Sequence, residues 1–101
     1  MNTYYSIEIW TEAENDIEEI FLWYENKSPG LGYDFLSCVD AVIASIKRNP
    51  YFSSVIENDV RKGILERFPY HVYYIVNESI ASIIAVIHQS RRPDTWKNRF
   101  S

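Results

Sequence analysis

The sequence predicts an α+β fold in which an N-terminal helical hairpin packs on a small antiparallel sheet, in the order β-α-α-β-β-β. Three observations predict it. Apolar residues alternate at the start of the chain, recur at helical spacing through the rest of the first half, and return as β-branched and aromatic runs after Val60. Connections between these runs are short, which favours antiparallel neighbours. At 101 residues, the chain is expected to be one domain over 1–101.

The first strand is "YSIEIW". Tyr5, Ile7 and Ile9 fall on one face, and Ser6 and Glu8 on the other. Thr11 and Glu14 have capping-box spacing, so a helix should start there. Ala13, Ile17, Ile20, Phe21 and Tyr24 form its apolar stripe. Glu12, Glu14 and Asp16 lie near its N-terminal end, where the helix dipole favours negative charge. They read as dipole partners on a solvated face, and Arg91, Arg92 and Arg99 of the C-terminal segment read either as solvated or as partners of the acids of this helix. "NKSPGLG" stops the helix. A second helix carries Leu31, Phe35, Cys38 or Val39, Val42 and Ile46, then Lys47 and Arg48 at its C-terminal end. Asn49-Pro50 ends it, because a residue before proline avoids the α region.

"VRKGILERF" follows as a strand with polar positions, whose Arg61, Lys62, Glu66 and Arg67 suit the wet side of an edge strand. "YHVYYIV" is the next strand, and Asn77, Glu78 and Ser79 make a turn. "IASIIAVIH" is nearly continuous apolar, the pattern of a central strand covered on both faces.

Composition narrows the function classes. With 47% apolar and 16% aromatic residues, the chain is too hydrophobic for disorder. The single cysteine, Cys38, excludes an internal disulfide and reads as a small core residue. One Cys and two His at this spacing give no metal site, and no cofactor is expected. There is no N-terminal signal pattern and no apolar run of the roughly 18 residues that span a bilayer, so a cytoplasmic protein without membrane contact is expected. Net charge is −4, unevenly spread: residues 1–48 hold nine acids and three bases, residues 49–101 five acids and seven bases. A global basic footprint for nucleic acid is therefore absent, while a local one is allowed.

Taken in order, "AENDIEEIFLWY", "VIASIKRNPYF" and "VRKGILERFPYHVYYIVNESIASIIAVIHQSRRPDTW" resemble the RelE/ParE superfamily of bacterial toxins from type II toxin–antitoxin systems, over nearly the whole chain. The resemblance implies a growth inhibitor of plasmid-stabilisation type, neutralised by a cognate antitoxin and touching DNA only through it. Two activities occur on this fold. ParE-like members poison DNA gyrase; RelE-like members cleave messenger RNA in the ribosome. A third reading is a degenerate member that only binds its antitoxin and regulates transcription.

If the protein is a nuclease, Lys62, Arg67, His71, His88 and Arg91 are the catalytic candidates, with Arg92 beside them. Arginine can clamp two phosphate oxygens, and histidine can move a proton near neutral pH. Lys62 and Arg91 match basic functional positions of the RelE-like nucleases, but His71 stands where those carry an arginine. Strand parity groups His71 with Tyr73 and Ile75, and Tyr70 with Val72, Tyr74 and Val76. It does not say which group faces the helices. The acidic net charge works against approach to a polyanion, and so favours a protein target such as gyrase. Tyr4, Trp10, Trp23, Tyr24 and Tyr33 are expected to supply an apolar surface for the antitoxin.

Overall fold

The computed structural model describes residues 4–91 and 95–100. Its elements are β1 (Ser6–Ile9), α1 (Thr11–Lys27), α2 (Leu31–Arg48), β2 (Val55–Glu57), β3 (Val60–Ile64), β4 (Tyr70–Asn77), β5 (Ile80–His88) and a short 3₁₀ helix (Thr95–Phe100). The five strands form one sheet in the order β1-β5-β4-β3-β2. The α1–α2 hairpin covers one face, and the 3₁₀ helix lies on the other.

The α+β architecture and the helical hairpin match the sequence reading. The sheet differs in two respects: it has a fifth strand, β2, and it is mixed, because β1 runs parallel to β5. The cause is β2, three exposed residues with no alternating pattern. When every short connection reverses the chain, six elements leave the first and last antiparallel, and seven leave them parallel. Asn58 and Asp59, both at positive φ (49° and 66°), turn β2 into β3. Asn and Asp tolerate that conformation at a two-residue hairpin turn. β3 is consequently an inner strand rather than an edge. Arg61 does not protect an edge; it donates to the Ser53 carbonyl and sits 4.9 Å over the Tyr51 ring.

α1 begins at Thr11, as expected, but without the capping box. Trp10 is the N-cap and makes no side-chain cap bond. The hairpin turn is secured by Glu25 instead. Its carboxylate accepts the Gly30 N–H (3.0 and 3.1 Å) and the Gly32 N–H (3.0 Å), capping α2 from the neighbouring helix. Gly30 takes φ +92° at the turn. Gly32 lets the helices touch: a Cβ there would lie 2.7 Å from the Phe21 carbonyl oxygen.

Two cores flank the sheet. On the helix side, Ala13, Phe35, Val39 and Ile46 meet Val72, Tyr74, Ala81, Ile83 and Val86. On the other, Val60, Tyr73, Ile84, Ala85 and Ile87 lie under Trp96, which is 1% exposed. β5 is therefore buried from Ala81 to Ile87, the pattern its apolar run predicted. A bulge interrupts β4–β5 pairing, where Tyr73 pairs with Ala85 and Tyr74 with Ile83. It turns Ile84 and Ala85 to the same core and reverses the outward parity of β5 beyond it.

Candidate functional site

Register settles the parity left open by the sequence. Val72 and Tyr74 pack against the helices, so His71 and Tyr73 lie on the far face. On β3, a Cβ on Gly63 would meet Val42 of α2, so its neighbour Lys62 faces the far side as well. Lys62 pairs with Tyr73, and His71 sits 6.2 Å from the Tyr73 ring. Burial pushes the His71 imidazole below the usual histidine value, and the charges of Lys62 and His88 push it the same way. Lys62 and His71 thus lie close together on the far face of the sheet.

Arg67 goes elsewhere. It adopts φ +72°, pairs with Asp34 of α2 at 3.7 Å, and stacks over Phe68 at 5.5 Å. It borders a groove of ≈ 320 Å³ between α2 and β3, floored by Cys38, Val42, Phe52 and Ile64. His88 and Arg91 stand at a third place, the end of β5. Nδ1 of His88 lies 2.8 Å from the Ser90 hydroxyl and accepts the Ser90 N–H at 3.0 Å. With Nδ1 accepting, the ring N–H is assigned to Nε2. The five nuclease candidates therefore occupy three places, and Arg92 falls outside the described residues. Among the described residues, no cluster of His, Cys, Asp and Glu could hold a metal ion. Nor is any helix long and apolar enough to cross a membrane.

A cleft of ≈ 430 Å³ lies between α1 and the end of β5. Ile20 and the half-exposed Trp23 form one wall and Tyr70 another, with His88 and Arg91 at the open end. At its other end Arg99 pairs with an acid of α1, one of the two alternatives the sequence left for it. Asp16 is not on a solvated face. Its carboxylate takes both guanidinium nitrogens of Arg99, at 2.7 and 2.9 Å, and the Val86 N–H at 2.9 Å. Arg99 also donates to the Ile84 carbonyl at 2.7 Å. Both side chains are only 19% exposed. β1 ends where the Trp10 N–H meets the Ile83 carbonyl. Immediately beyond, Asp16 and Arg99 together accept from and donate to β5 as one residue of a parallel strand would. One signal pointed there: Asp16 lies three residues after Ala13 and four before Ile20, at the edge of the apolar stripe.

The aromatics expected at a docking surface divide. Tyr4, Trp23 and Tyr33 are exposed, whereas Trp10 and Tyr24 pack against the two cores.

Comparison with known proteins agrees with this geometry. Residues 7–93 match a family model described as the ParE toxin of the type II toxin–antitoxin system parDE. Among solved structures, a chain of the chromosomal ParDE system of P. aeruginosa is similar, with TM-score 0.75 at 15% identity, covering 86% of this chain and 98% of that one. A free-state mutant of the toxin RelE of E. coli gives TM-score 0.61 at 12% identity, covering 86% and 85%. The RelBE2 toxin–antitoxin complex of Mycobacterium tuberculosis contains a chain at TM-score 0.59 and 14% identity, covering 90% and 98%. No curated protein sequence matches.

Proposed function

Because the chain belongs to the ParE toxin family of type II toxin–antitoxin systems, we propose that it inhibits growth by acting on a protein target, DNA gyrase first among them, and is neutralised by a cognate antitoxin. The observation that carries this reading is the separation of the cationic candidates. Cleaving RNA without a metal needs a proton acceptor, a phosphate clamp and a proton donor within reach of one phosphodiester. Here Lys62 and His71 share the far face, Arg67 is engaged by Asp34, and His88 and Arg91 stand at the end of β5. Arg99, which also lines the cleft, is consumed by Asp16. The net charge of −4 also disfavours docking on a polyanion, and a protein target makes no such demand.

The antitoxin partner is supported by the family and by the surface. ParDE and RelBE2 are toxin–antitoxin systems. This chain leaves Trp23 exposed at the cleft beside α1 and Phe52 exposed at the groove between α2 and β3.

Expression of the protein alone, with DNA damage signalling and translation followed separately, tests the reading. Purified protein incubated with gyrase and supercoiled plasmid should then trap cleaved DNA. Transcripts cut within translating ribosomes, with gyrase unaffected, would overturn the proposed target.

A further inference from the structure

The surrogate strand formed by Asp16 and Arg99 ends too soon. β1 pairs β5 only as far as Ile83, and the two side chains then serve Ile84 and Val86. β5 continues to His88. The Gln89 N–H donates to the Pro69 carbonyl, so odd positions here face β4 and even positions face away from it. The Val86 carbonyl and the His88 N–H thus point into the cleft beside α1, where no strand lies among the described residues.

Among the described residues these two groups have no partner, and they are not a random pair. The Val86 N–H is already bound by Asp16, and the His88 carbonyl already accepts from the Arg91 N–H at 2.9 Å. An antiparallel neighbour would bond both groups of one residue, Val86 or His88, and each has one group taken. A parallel neighbour bonds the carbonyl of one residue and the N–H of the next but one. That is the pair still open.

We propose that the edge of β5 at Val86–His88 is a strand-addition site for an extended segment of the antitoxin, lying parallel to β5 with one residue opposite Ile87. This rests on the antitoxin reading above and adds the place, the direction and the chemistry of the segment. The residue opposite Ile87 donates to the Val86 carbonyl and accepts from the His88 N–H. Neighbouring side chains meet Ile20, Trp23 and Tyr70, so the segment carries an apolar residue. Its far end meets Arg91 and the Nε2–H of His88, so an acidic residue belongs there. Main-chain bonds supply affinity and the pockets supply selectivity, as in other strand additions.

Amide exchange measured by NMR on the protein alone and in complex with its cognate antitoxin tests this. The His88 amide should exchange at least tenfold more slowly in the complex. The Val86 amide, bound by Asp16 in both states, should change little. Cross-strand nuclear Overhauser contacts should show a parallel neighbour. Trp23→Ala, at an exposed position that leaves the fold intact, should weaken antitoxin binding tenfold or more. A complex in which the His88 amide exchanges as fast as in the free protein, or in which the neighbour is antiparallel, overturns the site. Failure of the antitoxin to bind at all overturns the antitoxin reading itself, and the assigned partner with it.

Discussion

Replacing Asp16 by alanine removes three hydrogen bonds at once: two from Arg99 and one from the Val86 N–H. It also strands a guanidinium that is four-fifths buried. Breaking a buried pair by removing one partner costs about 3–5 kcal/mol, and an exposed pair is worth about 0–1 kcal/mol. The residual exposure of both groups places Asp16→Ala at about 2–4 kcal/mol. At about 4–8 °C per kcal/mol for a domain near this size, the melting temperature should fall by roughly 10–30 °C. A double-mutant cycle with Arg99→Ala isolates the pair, and the coupling should be about 1.5–3 kcal/mol. Urea unfolding followed by tryptophan fluorescence suits the measurement, because Trp96 is buried in the segment that Arg99 anchors. The coupling should survive about 1 M salt, where only exposed pairs are strongly screened. A coupling below about 0.5 kcal/mol, or one abolished by salt, would refute the claim that this pair acts as a buried extension of the sheet.

Three further outcomes are expected. Gly32→Ala should destabilise by about 1–3 kcal/mol, because its Cβ would meet a backbone oxygen of α1 that cannot rotate away; equilibrium unfolding measures it. His71 is held below its unfolded value near 6.5, so the unfolded chain binds more protons between the folded and unfolded pKa values. The stability due to neutral His71 is therefore complete above about pH 6.5 and is lost as pH falls towards the folded value, and His71→Gln should flatten that slope in denaturation curves. Arg91→Ala should abolish toxicity with the circular dichroism and melting curve unchanged, since the side chain is exposed; undiminished growth inhibition would remove Arg91 from the functional surface.

Much of this architecture was legible because burial leaves a period in the sequence. The stripe through Ala13 and Ile17, the stripe through Phe35 and Val39, and the apolar run of β5 each report a covered face. β2 left no such trace, since its three residues are all exposed and only the Asn58-Asp59 turn announces it. Missing it also hid the parallel pairing of β1. The bulge at Ile84 is invisible for a different reason: it is a mismatch between strands, and neither strand carries it alone. The site was harder still. Lys62, Arg67 and Arg91 are cations on neighbouring elements, yet the turn at Arg67 and the alternation of β3 send them to separate places. The pairing of Asp16 with Arg99 spans most of the chain: charge allowed Arg99 to pair with an acid of the first helix, but only the position of Asp16 within the stripe singles that acid out.

Parallel pairing of β1 with β5 also sets an order of events during synthesis. The first strand to leave the ribosome hydrogen-bonds to the last, with Ile7 opposite Ala81 and Ile9 opposite Ile83. Until β5 emerges, β1 has no strand to join, and the apolar undersides of α1 and α2 lack the centre of the surface they cover. Contacts between such distant segments close slowly, and the waiting intermediate exposes surface that aggregates. Nascent chains halted before Ile80 should therefore stay protease-sensitive, and a messenger cut short anywhere upstream of that codon would yield a harmless product.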